Sequence, residues 1–597
     1  MEDPSQPHWR RFTKVRPNRK LMSKRARKIE SATLKHAHTF IVRRWDNIKN
    51  VRRHALAWLL LMGLLIGISG LQMMTYQDSY NKVAASSGGT YAEGVTGPLE
   101  TINPLFAATS AEKSANELIF SGLLGYDRDN KLRGDLADTW RIENNGARYV
   151  FDLKQNVRWH DGAPVTADDI VFTIDRIKNP LTRSALYNTW RNVDVKKISK
   201  YSVSFDLTAP YAPFAHALTL GIIPKHILNS VPPEAMREDN FNRSPVGTGA
   251  FVFNRLQLID PDQARVVLYL SSNHEYLRGA PKLERFQMHV YKDREQVKQA
   301  FLTSEINAAA DLASSDLKQI RVEKPDAQDS GSTIYDGTYA LFRTDSDILQ
   351  DVKVREALRF ATDRKKVLGS INGYGKELEG PLLSDHYSSI ASKKQPGFDI
   401  ESAKKKLDEA GWVVKGDKRV KDGKDLRLIV VSPQSGDYPE ILKATTANWR
   451  SLGITIETQL VPAETIQQNV LLPRAYDVLI YELEIGVDPD VYAYWHSSQA
   501  GPRGLNLSNY KSEAADEALT SAQSRSEDNL RRPKYESFVD TWIRDVPAVA
   551  LFQPSLHYVT TGSSETLKQN TIVSDSIGRY RSIELWTIQT QTFYKTP

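Results

Sequence analysis

The stretch 158-RWHDGAPVTADDIVF-172 places a histidine and three aspartates within ten residues and then turns amphipathic. Such a cluster can be a metal site, an acid–base pair or scaffold. Asp161-Gly162 after a strand-like run is turn chemistry, because aspartate bonds its own backbone and glycine tolerates positive φ. Pro164 keeps the chain extended. Thr166 then suits a helix cap, Asp169 completes a T-x-x-D capping box, and Asp168 and Asp169 both sit where the helix dipole favours negative charge. Each acidic group thus has a structural use. His160 and Asp161 are adjacent in an extended segment and point apart, and no H-x-H or H-E-x-x-H occurs in the region that follows the apolar stretch described next. The stretch therefore reads as scaffold.

The chain has 597 residues and a formal net charge of +7. That length requires more than one core of ordinary size. The basicity is local, since residues 1–53 hold 16 Lys and Arg against 4 Asp and Glu, a surplus of 12 that leaves −5 for the rest. Next comes 55-ALAWLLLMGLLIGISGLQMM-74, twenty residues without a charge, which as a helix at about 1.5 Å per residue spans roughly 30 Å of hydrocarbon. It is too long and too far from the start for a cleaved signal peptide, and it is expected to be an uncleaved anchor. The positive-inside rule makes residues 1–53 the cytoplasmic side, with Trp58 and Tyr76 near the two interfaces. The bulk of the chain is then extracytoplasmic and held to the membrane by residues 55–74. A solvated topogenic tail accounts for the basic segment, so no nucleic acid is expected as a partner.

Cysteine is absent. Disulfides, thiolate metal sites, iron–sulfur clusters, cysteine nucleophiles and lipid-modified cysteine anchors are excluded together. No G-x-S-x-G elbow and no G-x-x-x-x-G-K-[ST] loop is present. In 247-GTGAF-251 the two glycines follow Pro245 in a turn and suggest a backbone crossing or hinge rather than a phosphate loop. No metal, cofactor or catalytic residue is assigned.

Residues 77–90 are polar and small and are expected to form a flexible stalk after an anchor at 54–76. Beyond Tyr91 strand and helix signals alternate. The segments 147-ARYVFDLKQNVRW-159 and 201-YSVSFDLTAP-210 read as half-buried strands. Val354, Leu358, Ala361 and Leu368 recur at helical spacing, and 399-DIESAKKKLDEAGW-412 reads as a helix capped by Asp399 and ended by Gly411. The class is mixed α/β.

Taken in order, these segments resemble the extracytoplasmic solute-binding proteins of ATP-binding-cassette importers, of the peptide- and nickel-binding family (family 5 type). The family hallmark W-H-D-G-x-P-x-T-A-D-D-V/I-V-F is matched by 159-WHDGAPVTADDIVF-172. Further matches follow in family order at 245-PVGTGAF-251, 354-VREALRFATDRKKV-367, 402-SAKKKLDEAGW-412, 448-NWRSLGITIE-457, 488-DPD-490 and 547-PAVALF-552. The resemblance covers roughly residues 91–597.

It implies a periplasmic-binding-protein-like fold of two hinged lobes that close on a ligand. Lobe I would span 91–335, with a subdomain at about 130–245, and would be completed by a C-terminal segment at 531–597. Lobe II would span 336–530. The implied function is a non-enzymatic, membrane-anchored receptor that hands an oligopeptide or other small organic solute to the permease subunits of an importer. A sensory or scaffolding ectodomain of the same fold, or a hydrolase, stays open as an alternative. By family position the ligand-binding candidates are Phe106, Thr109 and Ser110 in lobe I and Tyr481, Leu483 and Ile485 in lobe II. Many peptide-binding members hold the ligand's α-amino group with an aspartate where this chain has Ile485. Free-amine peptides would meet an apolar wall there unless Glu482, Glu484 or Asp488 supplies the anchor.

Overall fold

The computed structural model describes residues 45–562, 564, 566–567 and 571–594. The basic tail over residues 1–44 lies outside them. Of the described residues, 45–84 and 592–594 form one unit and those of 85–591 another. In the first, helix α1 runs Trp45–Tyr80 and contains the apolar span His54–Met74, long enough to cross a bilayer. The side chains of that span, Trp58 among them, are exposed, so this is no core helix. Regular structure enters the segment expected to be a stalk: α1 continues to Tyr80 and a strand covers Asn81–Ser86. Once the apolar turns are formed, each further residue adds a hydrogen bond at little nucleation cost, which carries the helix through polar sequence.

The large unit is built on two mixed sheets. One has seven strands in the order Gln328–Asp329, Val559–Thr560, Ala308–Ala309, Thr90–Thr96, Arg285–Tyr291, Arg265–Ser272 and Phe251–Asp260. The other has six, in the order Lys376–Glu377, Ala548–Gln553, Asp336–Phe342, Val478–Glu484, Arg427–Pro433 and Thr455–Val461. In this second sheet Asp336–Phe342 is β1, Val478–Glu484 is β2 and Ala548–Gln553 is β3. An antiparallel four-stranded sheet, from Ala137–Glu143 to Asp194–Ser199, forms the subdomain that holds the opening motif.

Every residue of β1 is buried, because both faces of its sheet are covered. Tyr339 and Leu341 pack with Leu479, Trp495 and Trp542 on one side, and Ala340 and Phe342 pack with Val430 and Trp449 on the other. Helix α4 (Asp528–Asp545) puts Tyr535, Phe538 and Trp542 into the first of these cores, and β3 lies in the six-stranded sheet. The C-terminal return therefore begins at Pro554 rather than near 531. The apolar faces of α4 and β3 have their partners in the second lobe. The helical pattern at 352–371 is also two helices, Val352–Phe360 and Arg364–Ser370, because Asp363 caps the second.

The chain crosses between lobes twice, at 332–336 and 553–556. The two crossings are hydrogen-bonded to each other: Ile334 N–H donates to Pro554 O at 3.1 Å, Leu556 N–H to Ser332 O at 2.6 Å, and Gln553 Nε2 to Ile334 O at 2.8 Å.

The opening motif forms a tight hairpin that leads into α3 (Ala167–Lys178); here α2 is Ser110–Ile119. Gly162 has φ 88° and Asp161 Oδ1 accepts from Ala163 N–H at 3.1 Å, the expected turn. Thr166 N–H donates to Asp169 Oδ2 at 2.8 Å, and Asp168 pairs with Lys197 and Lys225. His160 joins this hairpin to the 245–251 segment. Its N–H donates to Gly247 O at 2.9 Å, its Nδ1 accepts from Gly247 N–H at 3.3 Å, and its Nε2 bonds Gly249 O at 3.2 Å. An accepting Nδ1 puts the ring proton on Nε2. Burial keeps the ring neutral, with its pKa pushed down to about 4. At Gly247 a Cβ would stand 1.9 Å from the Ile119 carbonyl oxygen, and Gly249 N–H donates to that same oxygen at 2.7 Å. The two glycines are thus a backbone crossing beneath the end of α2.

Removing the imidazole strands buried backbone groups. His160→Ala should cost about 1–2 kcal/mol in chemical denaturation while ligand affinity of the folded fraction is kept. Gly162→Ala, strained only by its φ, should cost about 1 kcal/mol, and Gly247→Ala, blocked by a carbonyl, about 3 kcal/mol or more. A Gly247→Ala protein as stable as Gly162→Ala would contradict the crossing.

Candidate ligand-binding cleft

Strands β1 and β2 are antiparallel, with Asp336 opposite Glu484, Gly337 opposite Leu483, Thr338 opposite Glu482 and Tyr339 opposite Tyr481. Side chains alternate between faces, and directly opposed residues share one. Tyr339, Tyr481 and Leu483 therefore point one way, toward the core of Trp495 and Trp542. Asp336, Thr338, Glu482 and Glu484 point the other way.

This parity places the sequence-derived candidates. Leu483 is 4% exposed and Ile485 5%, both in that core, and Tyr481 packs against it. Phe106 is buried in the first lobe's core with the Arg237 guanidinium over its ring at 4.7 Å. Thr109 caps α2, its Oγ1 accepting from Glu112 N–H at 3.2 Å and donating to Pro98 O at 2.9 Å. Ser110 Oγ is buried and has no hydrogen-bond partner among the described residues. Asp488 is spent on Arg531, which grips both its oxygens at 2.7 and 2.6 Å. Glu482 and Glu484, by contrast, lie on the face opposite Ile485.

What they face comes from the other lobe. In α2 the residues Ala111, Glu112, Ser114, Ala115, Leu118 and Ile119 are buried, whereas Lys113 and Glu117, four apart on one face, are exposed. Lys113 and Asp575 both act electrostatically on Glu484. Asp575 also acts on Glu117, together with Arg278 and Asp135. The region between Lys113 and Asp575 of one lobe and Glu484 of the other is the candidate cleft. Around it Glu482 N–H donates to Tyr438 Oη at 3.2 Å, and Tyr494 Oη donates to Glu484 O at 2.7 Å. Lys113, Glu117, Asp336 and Asp575 carry no motif; the i, i+4 polar pair on an otherwise buried helix was the one available signal.

The lobes meet along two seams beside this space. At one, Tyr211 Oη donates to Asp490 Oδ2 at 3.2 Å, Ala212 N–H donates to Gln523 O at 2.9 Å, and His216 Nε2 lies 3.6 Å from Asp488. At the other, Ser314 donates its N–H at 3.1 Å and its hydroxyl at 2.9 Å to Asp437 Oδ1. The arrangement is a closed one.

Enclosure shows in the acids. Although the Glu117 side chain reaches open space, the protein around it desolvates its carboxyl and pushes it up to about 7, with Arg278 opposing and Asp135 and Asp575 reinforcing. Burial also pushes Glu482 up to about 7, against a hydrogen bond with Asp336 and with support from the Glu484 charge. Asp336 is raised well above the carboxylate range by burial and by Glu482 and Glu484. Glu484 is raised by burial and by Asp575.

Comparison with known proteins gives a consistent result. The family model for bacterial extracellular solute-binding proteins, family 5 Middle, matches residues 131–504. The oligopeptide-binding protein AppA of Bacillus subtilis is 28% identical over 543 residues, which is 87% of this chain and 96% of that protein. Its structure in complex with a nonapeptide superposes with a TM-score of 0.69 at 25% identity, covering 85% of this chain and 100% of AppA. NikZ of Campylobacter jejuni, solved in complex with Ni(L-His), shares the fold with a TM-score of 0.70 at 24% identity, covering 83% of this chain and 99% of that one.

The raised carboxyl groups make stability depend on pH. In the unfolded chain Glu117 and Glu482 release their protons near the ordinary 4.5, in the folded protein near 7. Between those values the folded state holds more protons, so stability falls as pH rises through that window. The ligand-free protein should melt at a higher temperature near pH 5 than near pH 7.5 by a margin that Glu117→Gln with Glu482→Gln reduces. An identical pH profile in the double variant would show that the two acids are not enclosed.

Proposed function

This chain belongs to the family 5 bacterial extracellular solute-binding proteins, and on that premise we propose that it is a membrane-tethered member. It captures an oligopeptide or other small organic solute between its lobes and delivers it to an ATP-binding-cassette importer. The carrying observation is the pair of hydrogen-bonded seams between the lobes, with Lys113 of α2 in one lobe acting on Glu484 of β2 in the other. The chain would open about the paired crossings at 332–336 and 553–556, with lobe I made of residues 91–335 and the described residues of 554–591 and lobe II of 336–553. Solute would enter the open form, and bonds across both seams would offset the cost of closure. The chemistry would be binding alone, with the ATPase and the permease on separate chains. AppA, solved with a nonapeptide, supports an extended peptide as one class of solute. Backbone hydrogen bonds would then carry most of the affinity.

The anchoring reading rests on α1 and on the 16 Lys and Arg of residues 1–53. A receptor held in the membrane plane meets its permease at a raised effective concentration, without new contacts.

Since the chain has no cysteine, one label can be placed in each lobe, at Leu258→Cys and Val414→Cys, both exposed positions. Label separation should shorten when an oligopeptide pool is added. With Asp437→Ala and Asp490→Ala it should lengthen in the ligand-free protein, and apparent affinity should fall about tenfold as the closed population shrinks. Constant separation under every condition, with no solute released on denaturing the purified protein, would end the receptor reading. For the anchor, N-terminal sequencing of the membrane fraction should find the chain still carrying residues 1–53; a start near Ala85 or Ser86 would show that α1 is removed.

A further inference from the structure

We propose that the cleft contains a cation subsite made by Asp336, Glu482 and Glu484, and that the solute places an ammonium or guanidinium group there. This inference rests on the receptor reading above and names the chemical class of its solute. The three carboxyl groups come to one face by strand parity, since Asp336 opposes Glu484 and Thr338 opposes Glu482. Asp336 is 8% exposed, and no N–H or O–H among the described residues donates to its buried Oδ1. A buried carboxylate oxygen without a donor is costly, by several kcal/mol in general, and such a group either keeps a proton or acquires a positive partner.

Three largely buried arginines of the two lobes are engaged elsewhere, which leaves the exposed Lys113 as the cation that acts on Glu484. Arg531 holds Asp488, Arg278 holds Asp135 at 2.9 Å, and Arg579 holds Glu93. The groups facing Asp336 are Glu482 and Glu484 on β2, Asp575 on the returning C-terminal segment, and the hydroxyls of Tyr438 and Tyr494; Lys113 faces Glu484 from α2. Glu117 adds a further acid on the α2 side. Acids thus outnumber bases around the space. With no solute the Asp336–Glu482 pair shares a proton, which the raised carboxyl groups permit near neutral pH. An arriving cation supplies the missing charge and releases that proton to solvent. The Ile485 position, where the family's amine-holding aspartate is expected, faces the core, so the cation is held by the opposite face of the same strand.

The test uses full-length protein in detergent micelles and two probe sets. The first is a series of acetylated pentapeptide amides of alanine in which one residue is Lys, Gln or Glu, scanned over the five positions. The second is agmatine against n-butanol in thermal melts. At one position Lys should bind at least tenfold tighter than Gln, and Glu more weakly than Gln. At pH 6.5, calorimetry in buffers of different ionisation enthalpy should show proton release with the Lys peptide and none with the Gln peptide. Agmatine, not n-butanol, should raise the melting temperature. Glu482→Gln with Glu484→Gln should abolish these preferences, and the ligand-free variant should melt no lower than wild type at pH 8. Equal affinity for Lys and Gln peptides, or a preference that survives the double variant, overturns the subsite and leaves the receptor reading standing. Binding of agmatine but of no peptide supports the subsite and overturns an extended peptide as solute. No response to either probe set overturns both.

Discussion

Two strands of chain cross between the lobes, and their mutual hydrogen bonds are the constraint on which the rest of the architecture depends. Ser332, Ile334, Gln553, Pro554 and Leu556 exchange backbone and side-chain bonds across this pair. Further bonds complete them: Thr333 and Ile334 pair with Ile572 and Val573, and the Tyr335 carbonyl accepts from the N–H groups of Ile485 and Gly486 at 3.1 and 2.9 Å, so the backbone of the first crossing is satisfied locally. Asp336, the first residue of β1, follows directly on the first crossing. Its position at the cleft floor is therefore set by the crossing itself rather than by any loop.

The first lobe is sewn together by interactions distant in sequence. His160 bonds Gly247 and Gly249, whose lack of side chains lets the chain pass beneath Ile119 at the end of α2. The Glu93–Arg579 pair, with both side chains 0% exposed, ties the returning C-terminal segment to the central strand. Tyr558 Oη donates to Glu93 Oε2 at 2.9 Å and Tyr580 Oη to Oε1 at 2.5 Å, so the buried charges are satisfied as a network. Breaking such a network by removing one partner costs more than the pair contributes, because a buried charge is left alone. α2 is thereby held at its C-terminus by the glycine crossing and along its flank by Ser114 on Arg579 at 3.1 Å. Lys113 and Glu117 are left on its free side, toward the cleft.

Much of this was legible in the sequence, and the part that was not has a common cause. Asp161-Gly162, Thr166 and Asp169 act through local turn and cap chemistry, which depends on neighbours within four residues, and the structure shows them in those roles. Gly247 and Gly249 were readable as a crossing because spaced glycines after a proline have few other uses. Tyr481, Leu483 and Ile485 were assigned to the ligand side, whereas their side chains pack in the core of Trp495 and Trp542. In a strand whose two faces are both covered, apolar content does not reveal which parity faces a cavity, and a one-residue change of parity moves every side chain to the other face. The charged groups of the cleft carried little signal, since Asp336, Glu482, Glu484, Lys113, Glu117 and Asp575 come from four separate segments. The boundary at 531 failed for a different reason: α4 and β3 are amphipathic elements that either lobe could have buried.

The electrostatics of the closed form also bear on how closure can be reversible. A space lined by ionised Asp336, Glu482, Glu484, Asp575 and Glu117 would repel itself apart on desolvation, since like charges a few ångströms apart interact strongly once water is excluded. Protons taken up by the raised carboxyl groups lower that cost and let the lobes meet at Asp437 and Asp490 in the absence of solute. A neutral pair such as Asp336–Glu482 is, however, only weakly stabilising, and Glu484 and Asp575 still add negative charge beside it. The closed ligand-free state is thus held by the two seams against residual repulsion at the floor. A compensating positive group would remove the repulsion without altering the seams, so the differential affinity that drives closure resides at the floor. The same acids that make the empty closed form costly would in this way make the filled one selective.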